Sequence, residues 1–124
     1  MPRLLLVGLG GFVGTVVRYW LSGVIARRYG ETFPWGTLAV NALGCFLAGL
    51  LFYFLFDRFL ASPTARSVVF IGLLGGFTTF SSYSMQTFAL IRDGEVSLAL
   101  LNILVSNVLC LFLVWLGYTL GRVF

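Results

Sequence analysis

The sequence predicts an all-α membrane protein with four transmembrane helices, and three observations predict it. Of its 124 residues, 60% are hydrophobic and only 10% charged, with a mean hydropathy of +1.03; soluble domains hold roughly 45–50% apolar and about 25% charged residues. The apolar residues fall into four long runs, 4–26, 35–56, 67–91 and 96–120. At ~1.5 Å rise per residue each run crosses a hydrocarbon core of about 30 Å with some tilt. The four acidic residues, Glu31, Asp57, Asp93 and Glu95, all lie between the runs or at their ends. The runs use up most of the chain, so residues 1–124 are expected to form one integral membrane domain.

Run one is expected to stay as a span, because its apolar stretch exceeds the 7–15 residues of a cleaved signal and no small-residue cleavage pattern ends it. It carries Arg18, which lies 14 residues past Leu4, roughly 21 Å along a helix and past the midplane. Two roles stay open for it. One is a snorkelling or helix-tethering arginine; the other is a cation that makes an aqueous vestibule attractive to anions.

In run two, Thr37 and Asn41 are four apart and share one helix face. In run four, Asn102, Ser106 and Cys110 repeat that spacing, with Asn107 beside them. Such residues serve either as hydrogen-bonding glue between helices or as the lining of a pathway. Small residues four apart occur in every run: Gly10 and Gly14, Gly44 and Ala48, Gly72 and Gly76, Gly117 and Gly121. They predict close helix packing. Cys45 and Cys110 lie inside runs two and four and read as small buried apolar residues, since neither a disulfide framework nor a metal-ligand spacing is present.

Run three differs from the others. Gly72, Gly75 and Gly76 precede two β-branched threonines, and six of the seven residues from Thr78 to Ser84 carry a hydroxyl. This stretch is poor in helix propensity and predicts a break near the middle of the span. Backbone groups freed at that depth are tolerated only when buried in protein or facing a water-filled cavity, so the hydroxyls are expected to line something. Phe80 and Tyr83 are three apart, on one face of the helix that follows. They read either as plain core or as two rings whose positive edges turn toward an anion.

The arginines in the loops are nearly balanced between the two sides. Arg3, Arg58, Arg66 and Arg122 share the side of the termini, and Arg27, Arg28 and Arg92 lie on the other. Orientation follows the asymmetry of such charges, so the chain is expected to insert both ways and form an antiparallel, dual-topology homodimer that recreates an inverted repeat. A single orientation remains the alternative. Four helices around one axis mostly fill their own centre, whereas a dimer makes room for a conduit. A pI of about 9.6 does not imply nucleic acid, because the arginines are spread over short loops at both faces.

Several function classes lack their parts. A proton-coupled exporter of the small multidrug resistance type needs an acid inside the membrane, and no run contains one. There is no histidine, no phosphate-binding loop and no nucleophile with a partner base, so ATP-driven pumping and hydrolysis are not expected. Transport, if any, is passive. A non-transporting subunit of a larger membrane complex is a further alternative.

Three blocks of sequence carry a family resemblance: "GGFVGTVVRY" (10–19), "GTLAVNALGCFLAG" (36–49) and "GLLGGFTTFSSYS" (72–84). In this order and spacing they resemble the Fluc (CrcB-like) fluoride channels. The resemblance implies an antiparallel homodimer in the plasma (inner) membrane, with two fluoride-selective pores that let the toxic anion leave the cytoplasm. It implies that Phe80 and Tyr83 meet fluoride with their ring edges and that Asn41 lies beside the pathway. Arg18 matches the family's span-one arginine, and Ser81, Ser82 and Ser106 match a polar track. Gly75 and Thr78 match a break whose main-chain carbonyls, from both subunits, hold a structural sodium ion at the dimer interface. No organic cofactor or enzymatic activity is implied.

The chain departs from the family pattern at three positions. Tyr83 stands where many members have phenylalanine, Gln86 replaces a glutamate, and Cys110 replaces a serine and is a weaker donor. Thr37 and Cys110 complete the residues expected along the fluoride path. The physics suits the resemblance: fluoride holds its water strongly, so a pore must replace that hydration with closely spaced donors and still release the ion.

Overall fold

A computed structural model of the chain describes residues 2–124. The chain is helical almost throughout, and no strand occurs among the described residues. Helix α1 covers Pro2–Tyr29, and α2 covers Trp35–Phe52 and continues into a π-helical turn, Tyr53–Arg58. Helix α3 (Pro63–Arg66) leads through a π-helical segment, Ser67–Leu73, into α4 (Leu74–Phe77); α5 covers Phe80–Arg92 and α6 covers Val96–Val123. Four stretches are long and apolar enough to cross a membrane: Pro2–Tyr29, Trp35–Arg58, Pro63–Arg92 and Val96–Val123. This is a multi-pass membrane protein. The spans contain the predicted runs and extend past them by up to four residues. Apolar runs report the hydrocarbon core, whereas the helices carry on into the interface, where arginine side chains reach water.

The connections follow from local chemistry. Gly30 takes φ +87° after α1 and Gly94 takes φ +81° after α5, a left-handed conformation that glycine adopts without steric cost. Ser62 caps α3 by accepting the Ala65 amide at 3.1 Å, with Pro63 following it at the first helical position, where its missing N–H is no loss.

The helices approach until backbone meets backbone. A Cβ added at Gly14 of α1 would lie 2.1 Å from the Leu73 carbonyl oxygen, and one at Gly76 would lie 2.6 Å from that of Gly11. On the other side, Gly49 of α2 faces the Val114 carbonyl and Gly117 of α6 faces that of Phe46, at 2.0 and 2.2 Å from the added Cβ. So α1 packs on the third span, and α2 packs on α6. Gly14, Gly76 and Gly117 belong to the predicted small pairs, whereas Gly49 does not; Gly44, of the predicted pair in α2, faces the Thr78 and Phe77 side chains instead. What the chain leaves uncovered is apolar: Leu4, Leu9, Phe12 and Trp20 on α1, and Leu100, Leu104, Leu111 and Trp115 on α6, are all exposed. Such an outer surface suits lipid.

Both termini sit at one end. Arg3 donates to the Pro63 carbonyl and to Ser67 Oγ at 3.1 and 3.0 Å, and Arg58 donates to the Phe124 carbonyl at 2.8 Å. Four crossings bring the chain back to the side on which it started.

Candidate functional site

Helical geometry stops at Phe77 and resumes at Phe80. Between them Thr78 (φ −87°, ψ 156°) and Thr79 (φ −149°, ψ 121°) are extended, halfway along the span Pro63–Arg92. Local sequence favours this, because glycine and β-branched residues are weak helix formers and threonine is a good N-cap. Thr79 Oγ1 accepts the Ser82 amide at 3.2 Å and so caps α5. Thr78 Oγ1 donates back to the Leu74 carbonyl at 2.9 Å.

The main chain displaced here is served by side chains from other spans. Asn41 Nδ2 donates to the Thr79 carbonyl at 3.0 Å, and Asn41 Oδ1 accepts the Thr79 amide at 2.8 Å. Arg18 Nε donates to the Gly76 carbonyl at 2.9 Å. In a continuous helix the Thr79 amide would go to Gly75 and the Ser82 amide to Thr78, four residues back. Both amides go to side chains instead, so the Gly75 and Thr78 carbonyls lose their helical partners. Backbone groups at membrane depth need such replacements, since an unpaired one costs several kcal/mol in lipid.

A cleft of about 400 Å³ opens beside the extended pair, lined by Asn41, Gly75, Thr78, Phe80, Tyr83, Ser106, Asn107 and Cys110 among others. The Phe80 and Tyr83 rings lie 5.3 Å apart between centroids and are tilted at 51°. Phe80 is 75% exposed at the mouth. Asn107 Nδ2 donates to the Tyr83 hydroxyl at 3.0 Å, and the same nitrogen reaches the Ile103 carbonyl at 2.8 Å. The phenol oxygen is therefore an acceptor in that bond, which leaves its own proton to donate elsewhere.

Deeper in, Asn102 is 1% exposed and ties α5 to α6. It donates to Thr87 Oγ1 at 2.8 Å, and its Oδ1 accepts the Ser106 hydroxyl at 3.1 Å. Thr87 in turn donates to the Tyr83 carbonyl at 2.7 Å. Asn102 is thus glue between helices, and Ser106 reaches the cleft with its one proton already committed.

The structure brings Asn41, Phe80, Tyr83, Ser106 and Cys110 to one cleft, together with Gly75 and Thr78. Arg18 joins through the Gly76 carbonyl. Thr37 lies elsewhere: it lines a second depression, of about 720 Å³, with Tyr19, Arg27, Glu31, Gln86 and Asp93 near the 30–34 and 93–95 connections. Ser81 is exposed beside Thr79 Oγ1 at 3.4 Å, and Ser82 is half-buried; neither lines the cleft. Asn107, placed by the sequence only beside the stripe of Asn102, Ser106 and Cys110, lines the cleft as well, and its bond to Tyr83 was not foreseen. Its partner lies 24 positions away on another helix, beyond any spacing that a helix face reveals.

Comparison with known proteins bears on this arrangement. The family described as "CrcB-like protein, Camphor Resistance (CrcB)" matches residues 5–118, nearly the whole chain. The chain belongs to the CrcB-like family. Among its relatives, the fluoride-specific ion channel FluC of Opitutus terrae is 50% identical over 120 residues, covering 95% of this chain and 91% of the relative. The fluoride-specific ion channels FluC of Magnetococcus marinus and Aquifex aeolicus are 47% and 46% identical over 116 residues, covering 94% of each chain. The family match, residues 5–118, takes in the whole cleft lining and the extended pair of this CrcB-like chain.

Proposed function

We propose that this CrcB-like chain is a passive, fluoride-selective channel that lets the anion leave the cytoplasm, working as an antiparallel homodimer with two pores in the plasma membrane. One observation carries the reading: at mid-span, displaced main chain, the Tyr83 hydroxyl and the Phe80 ring converge on one cleft free of carboxylates. Relatives named as fluoride channels over almost their full length support it.

The donors suit a small, strongly hydrated anion. Tyr83 offers its phenolic proton because Asn107 occupies its oxygen. Phe80, on the same face one turn from Tyr83, offers a positive ring edge. Asn41 has one further Nδ2 proton beyond the one given to Thr79, and Cys110 adds a weak S–H donor. Ser106 adds a hydroxyl oxygen to the wall, its proton being held by Asn102, while Ser81 and Ser82, outside the cleft, and Thr37, in the second depression, extend the polar track beyond it. Arg18 acts by holding the Gly76 carbonyl and by adding positive charge. An inside-negative potential of ~100 mV contributes about 2.3 kcal/mol per charge toward anion exit, so no fuel is required.

The lone chain leaves Phe80 exposed and the cleft open at the side, which supports a second copy as the missing wall. The near balance of loop arginines supports opposite insertion of that copy. Gly75 and Thr78, whose carbonyls have lost their helical partners, fit a structural sodium ion at the dimer interface, because a hard cation takes oxygen ligands. Such an ion would supply charge that holds the two extended segments together.

The test is efflux from liposomes containing the purified protein, with potassium and valinomycin clamping the voltage. Rapid loss of fluoride, little loss of chloride and a silent Phe80→Ile variant are expected. No fluoride flux from folded, dimeric protein would overturn the reading in favour of a non-transporting subunit, and proton-dependent cation uptake would favour a coupled exporter. A reporter fused to the C-terminus should give signal from both sides of the membrane; signal from one side alone would remove dual topology.

A further inference from the structure

Cys45 and Cys110 do more than fill space. Helices α2 and α6 run in the same direction with a constant offset of 65 positions: Gly49 meets Val114, and the Tyr53 and Tyr118 rings meet at 5.8 Å. Cys45 and Cys110 share that offset one turn earlier. At the neighbouring rung a Cβ on Gly49 would lie 2.0 Å from the Val114 carbonyl oxygen, so the two backbones are almost in contact. The shared register sets the two thiols on the same seam, one turn from that contact. Both are free and half-buried, and both line the cleft beside Asn41 and Ser106.

We propose that this thiol pair is a two-coordinate site for a thiophilic divalent cation of the mercuric type, and that filling it closes the cleft. Thiolates select soft metals. Two S–H bonds break, two sulfur–mercury bonds form and two protons leave to water, with no change in oxidation state. The divalent charge cancels the two thiolates, so the product is neutral, which matters where a net charge is costly to bury. Zinc is excluded by the same donor set. It takes four ligands in a structural site, and among the described residues no group of three or more His, Cys, Asp and Glu side chains could hold a metal. Binding removes the Cys110 S–H donor from the wall and ties α2 to α6 one turn from Asn41 and Ser106. The closure rests on the channel reading above, whereas the binding does not.

The test uses the purified full-length protein and one equivalent of mercuric chloride, read by native mass spectrometry and by thiol titration. One mercury per chain, both thiols unreactive and recovery of both with excess dithiothreitol are expected, with no mass gained from zinc sulfate. Cys45→Ala and Cys110→Ser should each give up the metal to a monothiol competitor that the paired site resists. Two mercury atoms per chain, a Cys45→Ala variant that holds the metal as tightly as the native pair, or mercury-linked dimers on a denaturing gel would each overturn the site. In liposomes, mercury should stop fluoride efflux by the native protein but not by Cys45→Ala. Continued efflux from mercury-loaded native protein would overturn the closure alone. Absence of fluoride efflux before mercury is added would sink the channel reading, and the mass and thiol readouts would still decide the site.

Discussion

Asn41 of α2 holds Thr79 of the third span by two hydrogen bonds, one in each direction, at 3.0 and 2.8 Å. A side-chain amide presents a donor and an acceptor side by side and can replace both helical partners of one residue. Leucine, of similar size, can replace neither. Asn41→Leu is therefore expected to strand the Thr79 amide and carbonyl, at about 1–3 kcal/mol for each group, and to abolish fluoride efflux. Asn41→Asp keeps the acceptor and loses the donor, so it should fall between leucine and the native residue. Thermal unfolding in detergent and liposome efflux, measured on the same preparations, check the order native, Asp, Leu.

Tyr83 and Asn107 form the second pair, joined at 3.0 Å. With Asn107 filling the phenol oxygen, the hydroxyl proton is turned to other acceptors, and an anion in the cleft is one. Tyr83→Phe removes that proton and should slow fluoride efflux by up to about tenfold, the equivalent of a hydrogen bond worth 0.5–1.5 kcal/mol. Asn107→Leu should slow it less, since the proton remains and only its direction is lost. The double variant should be no slower than Tyr83→Phe, because Asn107 acts through the hydroxyl. Additive losses would show instead that Asn107 meets the ion by its own route.

Much of this was legible in the sequence. Hydropathy alone placed the four spans, because a bilayer admits few other solutions for an apolar chain. The glycine pairs were legible as contacts, since only small residues let membrane helices touch. Along one helix, spacing brought out Phe80 with Tyr83 and Asn41 with Thr37. It misled where depth matters: Thr37 and Asn41 share a face, yet one helical turn of ~5.4 Å puts them in different depressions. Spacing could also not show which polar residue serves which. Asn102 and Ser106 sit on one stripe and look alike, but Asn102 is spent tying α5 to α6, and Ser106 gives it its only proton. The Asn107 contact and the meeting of Cys45 and Cys110 at one cleft depend on the register between helices, which no single run encodes.

The two roles left open for Arg18 can be separated. Its hydrogen bond to the Gly76 carbonyl comes from Nε at 2.9 Å, and the amide nitrogen of glutamine lies the same number of bonds from its Cα. Arg18→Gln therefore keeps the tether and removes the charge, and it should unfold within about 1 kcal/mol of the native protein. Arg18→Leu strands the carbonyl and should lose about 1–3 kcal/mol. If the charge also draws anions, fluoride efflux by Arg18→Gln should lag the native protein most at low ionic strength, because salt screens such attraction. An equal lag at all salt concentrations would assign Arg18 to tethering alone.

The contact between α1 and the third span makes the sharpest prediction about folding. A Cβ at Gly14 would lie 2.1 Å from the Leu73 carbonyl oxygen and 2.9 Å from the Phe77 amide nitrogen, both of them backbone atoms that no rotamer change can move. Gly14→Ala should force α1 away from α4 just before the extended pair, at a cost of about 1–3 kcal/mol or more. Gly8 lies six positions earlier on the same helix, where an added Cβ would meet nothing within 4 Å. There alanine only improves helix propensity, so Gly8→Ala should be neutral or stabilising by up to about 1 kcal/mol. Unfolding of the two variants in one detergent gives the comparison. If Gly14→Ala were as stable as Gly8→Ala, the close approach of α1 to the third span would be wrong, and with it the position of the Gly76 carbonyl that Arg18 holds.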